Sequence, residues 1–217
     1  MKNADKIYIR AYRRDDHQSI RQICYDTAFM GDSGKIFFPD EEILSDAIIS
    51  YYADYEPESI FIAEYSGNMA GYLTGCKDTR IYYQIWWREI LPKIIKKVVL
   101  KGTLFNIKML RFLYHSLISW IKGDFKRLDV YEKYPAHFHI NIIKGYRNMG
   151  IGAMLLDYFL EYLRTGNIQG VHVVTISEKA KEFFRKNGFE LIYSHNINSF
   201  NYLLKNDISL DILARVL

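Results

Sequence analysis

The chain has 217 residues, 49% hydrophobic and 25% charged, with a formal net charge of +4, an ordinary balance for a soluble globular protein. That length suits one domain, or one domain carrying a large insertion, with a core of its own. Cys24 and Cys76 are the only cysteines, which excludes a disulfide framework or a Cys-rich zinc site and leaves two thiols expected to be free and buried. The opening MKNADKIYIR lacks the apolar stretch of a signal peptide, and the run FLYHSLISWI is too short to span a bilayer, so a cytoplasmic location is expected. Aromatic residues reach 16%, with 18 Tyr, a content that fits aromatic-lined surfaces or clefts.

In chain order, IYIRAY (7–12) alternates as a strand, and DDHQSIRQICYDTAF reads as a helix with Ile20, Ile23, Cys24 and Thr27 inward. GDSGKIFFPD (31–40) is a loop. A second helix follows Asp40, with Glu41 and Glu42 in its first turn and Ile43, Leu44, Ala47, Ile48 and Tyr51 on one face. SIFIAEY and MAGYLTGC, joined by SGN, form a β-hairpin. HFHINII (137–143) is a strand, and 150–164 a helix with Ile151, Met154, Leu155, Tyr158, Phe159 and Tyr162 at helical spacing. VHVVTI (171–176) is a strand. Ser177 is placed to cap the short helix EKAKEFFRKN, which Gly188 closes. FELIYS and SFNYLLK then read as a closing antiparallel pair. The order predicts a mixed α/β (α+β) domain over residues 1–217, one mostly antiparallel sheet flanked by helices, with a helical insertion at 78–133 before the central strand.

RNMGIGA (147–153) lies where the strand 137–143 gives way to a helix. Gly150 and Gly152 allow close backbone approach, and the first-turn N–H groups have no partner within the helix. With the positive end of the helix dipole, and with Arg147 on the rim, they favour a phosphate or pyrophosphate. A Walker loop would need Gly-Lys-Ser/Thr, which is absent. A dinucleotide fingerprint would need a third glycine where Leu155 stands.

The spacing Arg147-x-x-Gly150-x-Gly152 resembles the Arg/Gln-x-x-Gly-x-Gly/Ala signature of the GNAT superfamily of acyl-CoA-dependent N-acyltransferases. SEKAKEFFRKNGFELI resembles that family's second signature, Asn-x-x-Ala followed by an aromatic pair and Gly-Phe. The likeness covers 137–204 well and 7–76 loosely, in the family's element order. YPAHFHINII and YYADYEPES further resemble bacterial proteins related to the acetyltransferase-like domain of O-GlcNAcase.

The resemblance implies acetyl-CoA as co-substrate, without a metal. Its pyrophosphate would lie on the N–H groups of Asn148, Met149, Gly150, Ile151, Gly152 and Ala153, beside Arg147. Its pantetheine arm would pair with the backbone of Asn141, Ile142 and Ile143, one of whose N–H groups could also stabilise the oxyanion. Ser177 stands at the family's Asn. Phe184 stands where a tyrosine is thought to protonate the leaving thiolate, and phenylalanine cannot donate a proton. Tyr158, Tyr193 or water then does so, or the thiolate leaves unassisted.

An amine acceptor must lose a proton, to a base or a water relay. His137, His139 and Asn141 share one face of their strand, and His139 has the suitable chemistry. Asp54 and Glu56 are alternative carboxylates. A zinc reading of the His pair lacks further ligands.

Residues 78–133 carry 12 Lys and Arg against 5 Asp and Glu. Between 101 and 122, Leu104, Ile107, Leu110, Leu113, Leu117 and Ile121 recur at helical spacing, while Lys101, Lys108, Arg111, His115 and Lys122 form a stripe about 80° wide. The stripe is either a solvated face or a contact for a membrane surface, nucleic acid or acidic partner. The insertion, starting with the aromatics of IYYQIWW, is expected to form a lid or wall of the acceptor pocket. The expected activity is transfer of an acetyl group to a small-molecule amine, with no specific nucleic-acid partner. The alternatives are a protein lysine or N-terminal acetyltransferase, and a CoA-binding module without turnover. The oligomeric state is not legible.

Overall fold

The computed structural model describes residues 7–123, 130–197, 200, 202–204 and 208–217. Strand β1 (Ile7–Ala11) leads through a short 3-10 turn into helices α1 (His17–Thr27) and α2 (Glu41–Tyr55). The Asp40 carboxylate accepts from the Ile43 N–H (3.0 Å), capping α2 where the sequence placed its start. Strands β2 (Ile60–Tyr65) and β3 (Asn68–Cys76) form the expected hairpin. Its turn residues Ser66 and Gly67 both have positive φ (49° and 82°), which matches the twist of paired strands.

The insertion follows. Helices α3 (Thr79–Ile85) and α4 (Leu91–Leu100) run on through a π-turn at Trp86–Ile90, and α5 (Ile107–Ile121) comes after a break. Strand β4 (Ala136–Ile142), helix α6 (Ile151–Thr165), strand β5 (Gly170–Thr175), helix α7 (Glu178–Lys186) and strands β6 (Glu190–Ile197) and β7 (Ile208–Val216) complete the chain.

The strands form one open sheet in the order β1-β2-β3-β4-β5-β7-β6. Every pairing is antiparallel except β4 with β5. Alternation along the strands sorts side chains onto two cores. Ala63, Leu73, Phe138, Val171 and Leu213 pack under α6, whose Leu155, Leu156, Phe159, Leu160 and Leu163 are buried there, each worth about 1.5–3 kcal/mol of burial. Ile60, Ile62, Tyr72 and Cys76 face the other way, onto Ile20, Cys24, Ile49 and Tyr52 of α1 and α2. Both cysteines are free and buried.

Two expectations are corrected. The partner of β6 is β7, not SFNYLLK; Phe200 and Tyr202–Leu204 are turn or coil, and Ser199, Asn201 and Lys205 lie outside the described residues. The segment 101–122 is not one helix. Gly102 takes a left-handed φ of 64°, and α5 starts only after Asn106, whose side chain caps it by accepting from the Lys108 N–H (2.9 Å). Lys101 therefore belongs to the end of α4, where it pairs with Asp40 and Glu42, and not to a basic stripe on α5.

Candidate active site

The parallel pairing of β4 with β5 is short. Ala136 faces Val171 and His137 faces His172, and the two strands then diverge. The fork opens a cavity of about 660 Å³, lined by β4 from Phe138 to Ile142, by the following turn and the start of α6, by β5 and α7, and by Cys24, Thr27, Ala28, Met30, Gly31 and Ile48.

One edge of β4 is left to this cavity. The Ile143 N–H donates to the Ala70 carbonyl (2.9 Å), and the β3–β4 register is unbroken. Backbone groups alternate sides along a strand, so those of Asn141 and His139 also point at β3, and those of Ile140 and Ile142 point into the fork. The Ile142 carbonyl accepts from Arg147 Nε (3.1 Å). The open groups are thus the Ile142 N–H and both groups of Ile140. This corrects the assignment of a backbone role to Asn141 and Ile143, whose groups are spent on β3.

At the wide end of the fork the chain turns into α6. Asn148 and Gly150 both have positive φ (63° and 79°), and Gly150 occupies the N-cap position without a side-chain cap. The N–H groups of Ile151, Gly152 and Ala153 consequently face outward at the positive end of a 15-residue helix. The two glycines do different work. Gly150 supplies the left-handed turn, and a Cβ on it would meet open space. A Cβ on Gly152 would sit 3.3 Å from the Phe183 ring, so that glycine lets α7 close against α6. Met149 is exposed beside the turn and Asn148 lines the cavity.

Arg147 braces this turn. Its Nη2 donates to the Gly31 carbonyl (2.5 Å), tying the α1–α2 loop to the end of β4. Ser177 caps α7 by accepting from the Ala180 N–H (3.4 Å), and its own N–H donates to Thr175 Oγ1 (3.1 Å). Phe184 is buried against Phe138 and Phe189 and also lines the cavity. Phe183 is half-buried, packed against the core beside Gly152 and lining the cavity.

The acid and base candidates separate clearly. His139 lines the cavity with its side chain open to it, and the surrounding protein lowers its pKa by desolvation. His137 is buried behind it. Thr79 Oγ1 donates its proton to the Pro135 carbonyl (2.6 Å), so it accepts from His137 Nδ1 (2.7 Å), and Tyr52 O–H donates to His137 Nε2 (2.9 Å). His137 is a neutral structural histidine, its pKa driven well below the ordinary range by burial. The Asn141 side chain donates to Thr27 Oγ1, which itself donates to the Ile23 carbonyl (2.6 Å), fastening β4 to α1. Cys24 reaches the cavity, but burial pushes its thiol up to about 12.

Tyr193 is corrected. It lies on the edge strand β6, separated from β5 by β7, and is not part of the cavity wall. Tyr158 is half exposed on α6 beside Phe61, also outside the cavity. Glu56 is buried, accepting from Tyr51 O–H (3.1 Å) and the Lys77 N–H (3.0 Å). Asp54 borders a separate cleft with His17, Arg21 and Lys93.

No described residue of 78–133 lines the cavity either, so the described part of the insertion is not its wall or lid. It buttresses β4 from behind: Tyr82 packs edge-on against His137 (4.7 Å between rings), and Trp86 Nε1 donates to the Ala47 carbonyl (3.0 Å). Lys179 and Tyr146, which line the cavity, were not singled out from the sequence; Lys179 follows the Ser177 cap by two residues. Among the described residues, no three His, Cys, Asp or Glu side chains gather as metal ligands.

A family model described as an acetyltransferase (GNAT) domain matches residues 122–191, which include β4, the cradle, α6, β5 and α7. The solved structure of SsHAT superposes with a TM-score of 0.71 at 21% identity, covering 97% of this chain and 98% of that one. The fold is that of the GNAT acetyltransferases. Other solved structures agree in fold. The polyamine N-acetyltransferase of Drosophila melanogaster, which forms N-acetylagmatine, superposes at a TM-score of 0.58 with 13% identity, over 98% of this chain and 100% of that one. Ard1 from Thermoplasma volcanium gives 0.55 at 16% identity, over 97% of each chain.

Proposed function

We propose that the protein is an N-acetyltransferase that moves an acetyl group from acetyl-CoA directly to the amine of a small molecule. The observation that carries this reading is the continuity between the open edge of β4 and the uncapped N-terminus of α6. One groove offers amide-pairing groups at Ile140 and Ile142, then an anion cradle at Ile151–Ala153. An acyl-CoA has that sequence of parts, with amides in its pantetheine arm and a pyrophosphate beyond them. Lys179 on the rim adds positive charge for the phosphates.

In this reading the thioester carbonyl lies along β4 beyond the amides, and the Ile140 N–H, the open group farther from the cradle, is placed to stabilise its oxyanion. His139, neutral at working pH, accepts a hydrogen bond from the attacking amine and orients its lone pair, while the proton released passes to water. Thiolate departure needs no side-chain acid, since a thiolate is a weak base, and neither Phe184, Tyr158 nor Tyr193 is placed to supply one.

The acceptor end of the cavity is bounded by Cys24, Ala28, Met30 and Ile48, and no carboxylate is among the described residues that line it. This favours a monoamine with an apolar body over a polyamine, whose additional cations would be desolvated without a partner. Thiol release on mixing acetyl-CoA with a panel of amines tests both parts. Turnover greatest with apolar monoamines supports the reading, and turnover confined to polyamines or peptide N-termini overturns the acceptor class.

The missing proton donor at Phe184 favours one second reading, a CoA-binding module without turnover. Acetyl-CoA-dependent thermal stabilisation with no thiol release from any amine would establish it.

A further inference from the structure

The apolar spacing in α5 has an unexpected orientation. The helix rests on the protein through Met109 and Phe112, the latter packed on Phe37 and Phe38 (5.5 and 5.7 Å between rings), with Ser116 and Ser119 on the same side. Its larger apolar arc points outward. At 100° per residue, Ile107, Leu110, Leu113, Leu117, Trp120 and Ile121 cover about 140° of the helix away from the core, and all six are exposed.

The end of α4 extends the patch. Leu100 is 74% exposed and Phe105, between the helices, 91%. A large connected apolar surface of this kind marks an interaction site.

The charge around it is one-sided. Residues 90–123 hold seven Lys and Arg and no Asp or Glu. Lys97 and Lys101 are paired with acids of α2. Lys108 spends its ammonium on an uncharged partner, the Lys35 carbonyl (3.0 Å), and so keeps its charge beside the apolar arc. Arg111 lies on the same flank of α5, exposed. No helix among the described residues is long and apolar enough to cross a membrane.

From this geometry we infer that α4 and α5 form an in-plane anchor that docks the protein on the surface of an anionic lipid bilayer. Outward apolar side chains enter the headgroup–acyl boundary, Trp120 and Tyr114 lie at its depth, and the flanking cations meet lipid phosphates and carboxylates. A second copy of the chain is the poorer occupant. A two-fold contact through this face would set the cationic flank of one copy against that of the other. Nucleic acid would meet the apolar arc rather than the charges.

The test is co-sedimentation of the full chain with phosphatidylcholine vesicles, with and without about 30% phosphatidylserine, at low and high salt. Retention on the phosphatidylserine vesicles that weakens at high salt is expected, with little on phosphatidylcholine alone. A Phe105→Glu, Trp120→Glu double variant changes only exposed positions, so its melting curve and acetyl-CoA-dependent thermal shift should match the parent while its vesicle partitioning falls at least tenfold. Lys108→Glu, Arg111→Glu should lose the phosphatidylserine dependence. No retention on either vesicle overturns the inference. So does a stable dimer, seen by sedimentation velocity, that the Phe105→Glu, Trp120→Glu change dissolves. Because neither readout requires turnover, failure here leaves the transferase reading untouched.

Discussion

The Arg147 guanidinium joins two carbonyls from distant parts of the chain, Gly31 at 2.5 Å from Nη2 and Ile142 at 3.1 Å from Nε. The residue that the signature places on the rim of the anion cradle therefore holds the α1–α2 loop against β4. Arg147→Ala removes two charge-assisted hydrogen bonds, each worth about 1.5–3 kcal/mol. The ligand-free protein should melt several degrees lower and bind acetyl-CoA about tenfold more weakly, as calorimetry would show. Arg147→Lys recovers little, because one ammonium does not reproduce the fork. A loss of affinity with no loss of melting temperature would instead mean that Arg147 acts on the phosphates alone.

Gly150→Val should abolish acetyl-CoA-dependent thermal stabilisation. The left-handed φ of 79° is costly for a β-branched residue, so the turn relaxes and the first N–H groups of α6 lose their aim. Gly152→Ala should be milder, since its Cβ meets only the Phe183 ring at 3.3 Å. A full ligand-induced shift in Gly150→Val would mean that the phosphates bind elsewhere.

Thr79→Val tests the buttress. It leaves His137 Nδ1–H without an acceptor in a buried site, a cost of about 1–3 kcal/mol. For a chain of this size that is a fall of roughly 2–4 °C per kcal/mol. Acetyl-CoA affinity should be unchanged.

His137 sets an acid limit. Burial drives its pKa well below the ordinary 6.5 in the folded protein. Below pH 6.5 the unfolded chain therefore binds a proton that the folded one does not. Stability is complete above pH 6.5 and declines as pH falls below it. Thermal melts from neutral pH downward should show the decline, and His137→Gln, though less stable throughout, should make it shallower. His139→Gln should reduce kcat, on the order of 10²-fold if the ring orients the amine, and the acidic limb that His139 imposes on the rate should lie below its ordinary 6.5.

The glycine turn and the strand before it were readable because they depend on backbone freedom. Gly150 and Gly152 mark the turn, and the strand before them marks the groove. The direction of each backbone group was not readable, since it depends on which neighbour β4 pairs with first; hence the backbone groups of Asn141 and Ile143 go to β3. Strand β7 was hidden by its charges. Asp211 is buried and accepts from Lys181, Ser194 and Ser209 (2.9, 2.6 and 3.1 Å), while Arg215 donates to the Asn187 carbonyl (2.7 Å). In α5, periodicity identified two faces but could not say which one meets the protein. Small Ser116 and Ser119 mark the packed side, and size carries that information better than polarity.

The fork between β4 and β5 also bears on solubility. Open sheets carry unpaired backbone groups at their outer margins, where a foreign strand can add and begin aggregation. Here a further set of unpaired groups, at Ile140 and Ile142, lies at the centre of the sheet, walled by β5 and the starts of α6 and α7. The protein thus contains an internal edge, hidden from other chains and accessible to a slender flexible arm. Hydrogen exchange at those two amides should be fast in the ligand-free protein and slow once the groove is filled, a signature of the ligand serving as the missing strand.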